Sequence, residues 1–471
     1  MNAHNLHDAL NQLDDKLLEE VDKRRAKPKS TSRLWRRGLA AAACLCVIAV
    51  SVLAVNELRP ITPDSDPKPT VSQIENRPAN ADAPTVDLME GVSAATVTTT
   101  DDLTAGNSAL TDFAVRLFKA SEQRDKNTLI SPLSVVSALA MTANGAENST
   151  LTQMEQVLGL PRDQLNTYLY SYMHALPQSE KARLSLANSI WFTADDSFTV
   201  DRDFLQKNAD YYAADLYKAP FNKATVADIN EWVKNKTDGM IPEIIDDLSP
   251  DAVMCLVNAL AFEAEWFKPY EENQVHDGTF TREDGTVQRV EFMHSGEYYY
   301  LEDENATGFI KHYSNPKYAF VALLPNAGTS VSDYVASLNG ATLRAMLSSP
   351  QSTRVVAALP KFETEYSTDM SAMLETMGMH DAFNVEKANF SSLGSSTKGN
   401  IFINRVVHKT FISVAEKGTK AGAATAVIMD AGSADVPEIK TVTLDRPFVY
   451  MLIDCENNVP FLLGTMMDVN G

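Results

Sequence analysis

The chain has 471 residues, which is enough for one large domain with appendages or for two or three domains. Its 62 acidic and 41 basic residues give a formal net charge of −21, which argues against nucleic acid or an anionic membrane surface as the main ligand. Four cysteines, two of them in one apolar run, do not form a disulfide framework.

Residues 1–37 form a highly charged N-terminal segment. Leucines recur at helical spacing from Leu6 to Leu17, which predicts a short amphipathic helix. A cluster of lysines and arginines follows between Lys23 and Arg37. Positive charge on this side of an apolar segment predicts that residues 1–37 lie in the cytoplasm.

Residues 38–55 contain no charged side chain. As a helix, they would span about 27 Å, just enough for the hydrocarbon core of a bilayer. We interpret them as an uncleaved, single-pass signal-anchor, because the preceding segment is long for a signal peptide. The domain that follows is then expected to be extracellular. A secretory signal cut after Ala54, a lipid-modified Cys44 and a buried soluble helix are the alternatives.

Residues 56–105 are rich in proline, threonine, serine, alanine and aspartate, and contain few bulky apolar side chains. Such a composition does not support a core, so we predict a linker. A flexible chain of about 50 residues spans on the order of 40 Å, which suits a tether that keeps a domain away from the membrane.

Regular hydrophobic periodicity returns near residue 106, and we interpret residues 106–471 as one folded domain. An apolar stripe from Ala109 to Phe118 predicts a helix, and Ser131-Pro132 predicts the start of another. Residues 253–262 are nearly all apolar, as expected for a central strand that is covered on both faces. Further helices are predicted at 150–158 and 229–241, and further strands at 184–192, 292–300, 319–325, 411–415, 440–444, 447–454 and 459–464.

The stretch from Glu416 to Gly432 reads E-K-G-T-K-A-G-A-A-T-A-V-I-M-D-A-G. Every second residue from Thr419 onward is small or apolar, so one face of this stretch can be buried in a sheet. Its polar flanks and lack of bulk also suit solvent. We interpret it as a loop with a second possible position inside a sheet, and an alanine-rich helix or linker is the alternative.

The E-K-G-T-x-A-x-A-A-T pattern in this stretch resembles the hinge of the reactive-centre loop of serpins. The resemblance covers residues 107–469, and the anchor style suggests a bacterial type. The chain departs from the usual serpin pattern at Glu263-Ala264, Asn389 and Thr465. The blocks that follow the serpin order lie at 127–146, 256–266, 358–362, 377–390, 406–410 and 447–464.

The resemblance implies an α+β serpin fold. In this fold, many helices surround a large central mixed sheet A and further sheets B and C, and the reactive-centre loop is exposed.

From the residues alone, an ordinary capped helix explains the serines near residue 131, and core packing explains Trp266. Catalysis by His408 is a poor alternative, because the sequence has no G-x-S-x-G motif and no cysteine to pair with it. The positions implied to lie where sheet A opens are Asn127, Ser131, Ser134, Asn258, Trp266 and His408.

The resemblance also implies a function. The chain is expected to be no enzyme but a suicide inhibitor of serine or cysteine peptidases, which traps the acyl-enzyme when its cut loop inserts into sheet A. Non-inhibitory serpins tend to carry proline, bulky or charged residues on the inward face of the hinge, whereas this chain has none there. This composition favours an inhibitor. A non-inhibitory binding protein or a plain substrate is the alternative. The hinge positions are Glu416, Gly418, Thr419, Ala421, Ala423, Ala424 and Thr425.

The spacing of the serpin family places the scissile bond at Gly432–Ser433. The bonds Ala431–Gly432 and Met429–Asp430 are alternatives. The surrounding residues include no arginine, lysine or aromatic side chain, which disfavours trypsin-like and chymotrypsin-like targets. Small residues suit the shallow pocket of elastase-like or subtilisin-like peptidases.

The expected partner is the target peptidase, in a covalent complex with a monomer of this chain. Only scattered basic residues occur at 161–183, so we expect no heparin-type polyanion to bind there. The histidines are scattered, and no metal site or cofactor is predicted.

Overall fold

The computed structural model describes residues 83–177, 181–397, 399–419 and 439–471. The predicted N-terminal segment, the predicted anchor at 38–55 and most of the predicted linker lie outside these ranges. Within the described ranges, no helix is both long enough and apolar enough to cross a membrane.

Nine α-helices lie in the described part of the chain. The second begins as the sequence predicts: the hydroxyl of Ser131 accepts a hydrogen bond from the Ser134 amide at 3.2 Å, and Pro132 occupies the first turn. The helices are α1 Thr104–Ser121, α2 Pro132–Ala143, α3 Asn148–Leu158, α4 Arg162–Ala175, α5 Arg202–Tyr212, α6 Lys223–Lys236, α7 Val331–Ser337, α8 Gly340–Ser348 and α9 Ser371–Thr376.

Eighteen β-strands lie in the same part of the chain. They are β1 Val86–Asp87, β2 Thr128–Ile130, β3 Ala182–Thr193, β4 Phe198–Val200, β5 Asp215–Ala219, β6 Met254–Glu265, β7 Val275–Thr281, β8 Val287–Glu302, β9 Ala306–His312, β10 Tyr318–Pro325, β11 Gln351–Pro360, β12 Phe362–Asp369, β13 Gly394–Ser396, β14 Arg405–Ala415, β15 Gly418–Thr419, β16 Ile439–Thr443, β17 Phe448–Asp454 and β18 Val459–Met466.

Sheet A has seven strands in the order β1-β5-β3-β6-β15-β14-β12. It is mixed, because β3 is parallel to β5 and β6 is parallel to β14, whereas β3 and β6 are antiparallel. Helix α2 packs against β3 and β6 on one face. On the other face, Ile229 and Val233 of α6 share a buried cluster with Val257 and Ala259 of β6. The predicted central strand is therefore covered on both faces.

The second large sheet has nine strands. The path runs β16-β11-β8-β9-β10-β17-β18-β2, and β7 pairs with β8. The predicted sheets B and C are thus continuous through β8, which is sixteen residues long. Phe262 of β6 contacts the rings of Tyr318 and Phe461, so the main core lies between this sheet and sheet A. The predicted α+β class with a large mixed sheet is confirmed.

The end of the predicted linker lies on the domain. Strand β1 pairs with β5 at the edge of sheet A, and the Leu88 amide donates to the carbonyl of Leu216 at 2.8 Å. The Thr100 amide donates to the hydroxyl of Ser171 at 2.9 Å, and α1 begins before residue 106. The sequence did not indicate this contact, because a strand of two residues has too short a pattern to recognise.

Candidate functional site

The predicted hinge enters sheet A. Gly418 and Thr419 form β15, which pairs antiparallel with both neighbours: Thr419 lies opposite Ala264 of β6 and Val414 of β14. Farther along, β6 and β14 pair directly with each other, from Ala261 opposite Phe411 down to residues 255 and 405. Sheet A is therefore open at one end, and the first two hinge residues occupy the opening.

The space around residue 418 leaves no room for a side chain. A Cβ atom at this position would lie 2.0 Å from the carbonyl oxygen of Ala264, and the φ angle is +155°. Both features disfavour any residue with a side chain. Gly418, one of the predicted hinge positions, thus allows the chain to approach β6 closely.

Thr419 is fully buried. Its hydroxyl forms a hydrogen bond of 2.5 Å with the hydroxyl of Tyr313, whose ring stacks on Trp266 with 4.4 Å between centroids. Burial raises the pKa of Tyr313 well above its usual range, so its hydroxyl stays neutral. The position accepts a small polar side chain and offers no partner to a charged one.

Backbone hydrogen bonds fix the turn that precedes β15. The indole Nε1 of Trp266 donates to the carbonyl of Ala415 at 2.8 Å, and the Trp266 amide donates to the carbonyl of Lys417 at 2.9 Å. The Tyr270 amide donates to the carbonyl of Glu416 at 2.9 Å. Trp266 therefore combines the core packing expected of a tryptophan with direct contact to the hinge.

The carboxylate of Glu416 forms an ion pair with Lys361, which also pairs with Glu291 at 2.8 Å. Burial alone would raise the pKa of Glu416, but the hydrogen bond and charge of Lys361, a backbone hydrogen bond and the charge of Lys417 together outweigh burial, so the pKa is lowered. This contact connects the end of β14 to the segment between β11 and β12.

Four of the residues predicted to lie where sheet A opens form one buried network beneath it. His408 Nε2 accepts from the Ser131 amide at 3.1 Å, and His408 Nδ1 lies 2.5 Å from Asn258 Oδ1. The Ser134 hydroxyl donates to the same Asn258 oxygen at 3.1 Å. Asn258 Nδ2 in turn donates to the carbonyl of Val407 at 2.9 Å, across the boundary between β6 and β14.

His408 is neutral in this network. Burial lowers its pKa to about 3, and a ring that accepts at Nε2 carries its proton on Nδ1, facing Asn258. Both ring nitrogens are occupied by structural contacts. His408 is therefore a structural histidine and has no free nitrogen for acid-base catalysis.

Asn127 lies apart from this network. Its side-chain oxygen accepts from the amides of Met467 at 2.7 Å and Asp468 at 2.9 Å, and its Nδ2 donates to the Asp468 carbonyl at 2.6 Å. It therefore connects the chain before β2 to the C-terminal residues and does not contact the opening of sheet A.

Several predicted site residues lie outside the described ranges. They are the hinge residues Ala421, Ala423, Ala424 and Thr425 and the scissile-bond residues Ala431, Gly432 and Ser433.

Three further residues contact the hinge from other strands and segments, and no sequence pattern identifies them: Tyr270, Tyr313 and Lys361. Lys361 stands in a block that matched the serpin order, but a sequence does not show which carboxylate a lysine faces.

The described residues include neither a reactive thiol nor a metal site. Burial raises the pKa of Cys255 and of Cys455 to about 12, so both remain protonated near neutral pH. In the ranges that the structure covers, no three histidine, cysteine or acidic side chains are placed to hold a metal ion.

Comparison with known proteins extends these observations. The family model described as Serpin (serine protease inhibitor) matches residues 108–469. An uncharacterized serpin-like protein of Thermococcus kodakarensis is 31% identical over 370 residues, covering 77% of this chain and 85% of the relative. The leukocyte elastase inhibitor of Equus caballus is 29% identical over 365 residues, covering 74% of this chain and 94% of the relative.

A solved structure is also similar. It is the native state of tengpin, a thermophilic serpin, with a TM-score of 0.78 and 47% identity. The match covers 82% of this chain and 100% of the tengpin chain.

Proposed function

Because the chain belongs to the serpin family, whose members include many protease inhibitors and are generally not enzymes, we propose that it is a suicide inhibitor that inserts its cleaved loop into sheet A. The single observation that carries this proposal is the position of Gly418 and Thr419 between β6 and β14. The residues that follow them in the chain would enter the same gap. An inhibitor of this kind needs an insertion that starts without delay once the loop is cut.

The register of β15 supports insertion as a full strand. β6 and β14 are parallel neighbours, whereas β15 is antiparallel to both. An extended insertion would replace the parallel pairing by two antiparallel pairings, which are slightly more stable per residue. With period two, Ala421, Ala423 and Thr425 would follow Thr419 on the inward side, and all three are small.

We further propose an elastase-like or subtilisin-like serine peptidase as the target, with cleavage at Gly432–Ser433. Small residues around this bond fit a shallow specificity pocket. The relative from Equus caballus is named as an inhibitor of leukocyte elastase, which supports the same class of target.

The test is to incubate the full chain with pancreatic elastase or subtilisin and to run a denaturing gel. A covalent band near the sum of the two masses is expected, and mass spectrometry of the released peptide should place the cut at residue 432. Cleavage without that band and without a rise in melting temperature would mean that the loop does not insert. The chain would then be a binding protein or a plain substrate.

A further inference from the structure

We propose that a cleft beside the hinge binds a planar aromatic molecule with one negative charge, and that this molecule stabilises the inserted position of Thr419. The binding site stands on its own observations. Any effect of the bound molecule on peptidase trapping would rest, in addition, on the proposed inhibitory function.

The cleft lies between the segment that follows β6 and the strands β8 and β9. Its volume is about 560 Å³. This size is within the range of pockets that hold small organic ligands. Its walls are largely aromatic and aliphatic, and the side chains that matter here are Phe267, Tyr270, Tyr298, Tyr299, Ile310 and Tyr313.

Exposed aromatic side chains are concentrated at this cleft. Phe267 is 57% exposed, Tyr298 is 58% exposed and Tyr299 is 37% exposed. All other aromatic residues in the described ranges are buried or half-buried. An exposed cluster of this kind is typical of a surface that contacts a ligand, because aromatic rings left in water gain free energy when another apolar plane covers them.

The charges in the cleft favour an anion. At its floor, Lys311 is only 3% exposed, and its Nζ lies 2.9 Å from Glu297 Oε1 and 4.3 Å from the centre of the Tyr270 ring. Lys268 lies exposed at the rim and forms no ion pair within the described ranges. Burial lowers the pKa of His312, so its ring is neutral at pH 7. The two lysines and one glutamate leave a single positive charge, on a chain whose net charge is −21.

The walls of the cleft also contact the hinge. Tyr313 bonds to the hydroxyl of Thr419, and the Tyr270 amide bonds to the carbonyl of Glu416. Lys311 lies 5.3 Å from the ring of Trp266. Tyr270 and Tyr313 line the cleft but are themselves buried, so a molecule that fills the cleft would restrict both residues, in the positions that bind the hinge, by covering the segments that carry them. By thermodynamic linkage, hinge insertion must then strengthen ligand binding to the same degree.

The binding test uses the full chain and anilinonaphthalene sulfonate, a fluorescent aromatic monoanion. Fluorescence should rise on titration, and naphthoate should displace the probe at about fivefold lower concentration than neutral naphthalenemethanol. Equal displacement by the neutral compound would overturn the assignment of an anion site.

Two charge-reversal variants locate the probe. Lys268→Glu should weaken binding by about fivefold or more, because it replaces attraction at the rim by repulsion. Lys387→Glu makes the same change at another exposed lysine, outside the cleft, and should leave binding unchanged. Equal effects of the two variants would mean that the probe binds elsewhere. Both side chains are exposed, so unchanged melting temperatures should show that both variants fold.

The link to the hinge is tested without any peptidase. Thr419→Arg should weaken probe binding, whereas Thr419→Ser, which keeps the hydroxyl beside Tyr313, should not. Unchanged binding in Thr419→Arg would overturn the link. If the probe binds as expected but elastase and subtilisin form no covalent complex, the site stands and the proposed inhibitory function fails.

Discussion

In the proposed mechanism, loop insertion depends most directly on Thr419. Arginine at this position would place a charge against Tyr313 and Trp266, and burying an unpaired charge costs several kcal/mol. We expect Thr419→Arg to be cleaved by elastase at the wild-type rate but to form little covalent complex. The ratio of complex to cleaved chain on a denaturing gel measures the effect, and Thr419→Ser is the matched control. Trapping by the arginine variant at the wild-type ratio would refute this role.

His408 makes the stability of the domain depend on pH. Burial lowers its pKa to about 3 from an ordinary value of 6.5, so between these values the unfolded chain binds the proton more tightly than the folded chain does. Stability should therefore fall as the pH drops from 6.5 toward 3, by up to about 1.4 kcal/mol per pH unit from this group alone.

The measurement is the urea midpoint at a series of pH values for the wild type and for His408→Gln. The glutamine variant will be less stable at neutral pH, because it loses part of the network, but its midpoint should change less between pH 6.5 and pH 4.5. Carboxylates contribute equally to both proteins in this comparison. Parallel pH profiles would show that His408 is not the titrating group.

At the scale of elements, the sequence predicted those features that a repeating pattern carries. The nearly continuous apolar run of β6 and the serine cap of α2 are local patterns, and each predicts its element. The contacts that hold Thr419 inside sheet A could not be predicted from a local pattern, because Tyr313 and Trp266 are distant from Thr419 in the chain. Asn127 was grouped by resemblance with residues that it does not contact, because its partners at Met467 and Asp468 also lie far along the chain.

The ion pair between Glu416 and Lys361 joins the end of β14 to the segment between β11 and β12. Its contribution to the free energy of unfolding can be measured. Both side chains are partly exposed, so we expect a coupling free energy of about 0.5–1 kcal/mol. A double-mutant cycle with Glu416→Gln and Lys361→Met, followed by urea unfolding, gives this value. Lys361 also pairs with Glu291, so Glu291→Gln tests whether the coupling is specific to the hinge. Coupling near zero would mean that backbone hydrogen bonds alone fix the turn.

At the scale of the whole molecule, fewer residues are left to act as a tether than the sequence predicts. Residues 86–105 of the predicted linker lie on the domain through β1, the Thr100 amide and the start of α1. At most residues 56–85 of the predicted linker are then left as a tether.

The anchor itself is a proposal that cell fractionation can test. The uncharged segment at 38–55 follows a basic cluster, and this order predicts a cytoplasmic N-terminus with the domain outside. In a bacterial host, the full chain should remain in the membrane fraction after a high-salt wash, and protease added to spheroplasts should digest its domain. A chain that starts at residue 56, and so lacks the anchor, should stay in the soluble cytoplasmic fraction, protected from the protease. Release of the full chain into the medium, with a new N-terminus at Val55, would instead establish a cleaved secretory signal.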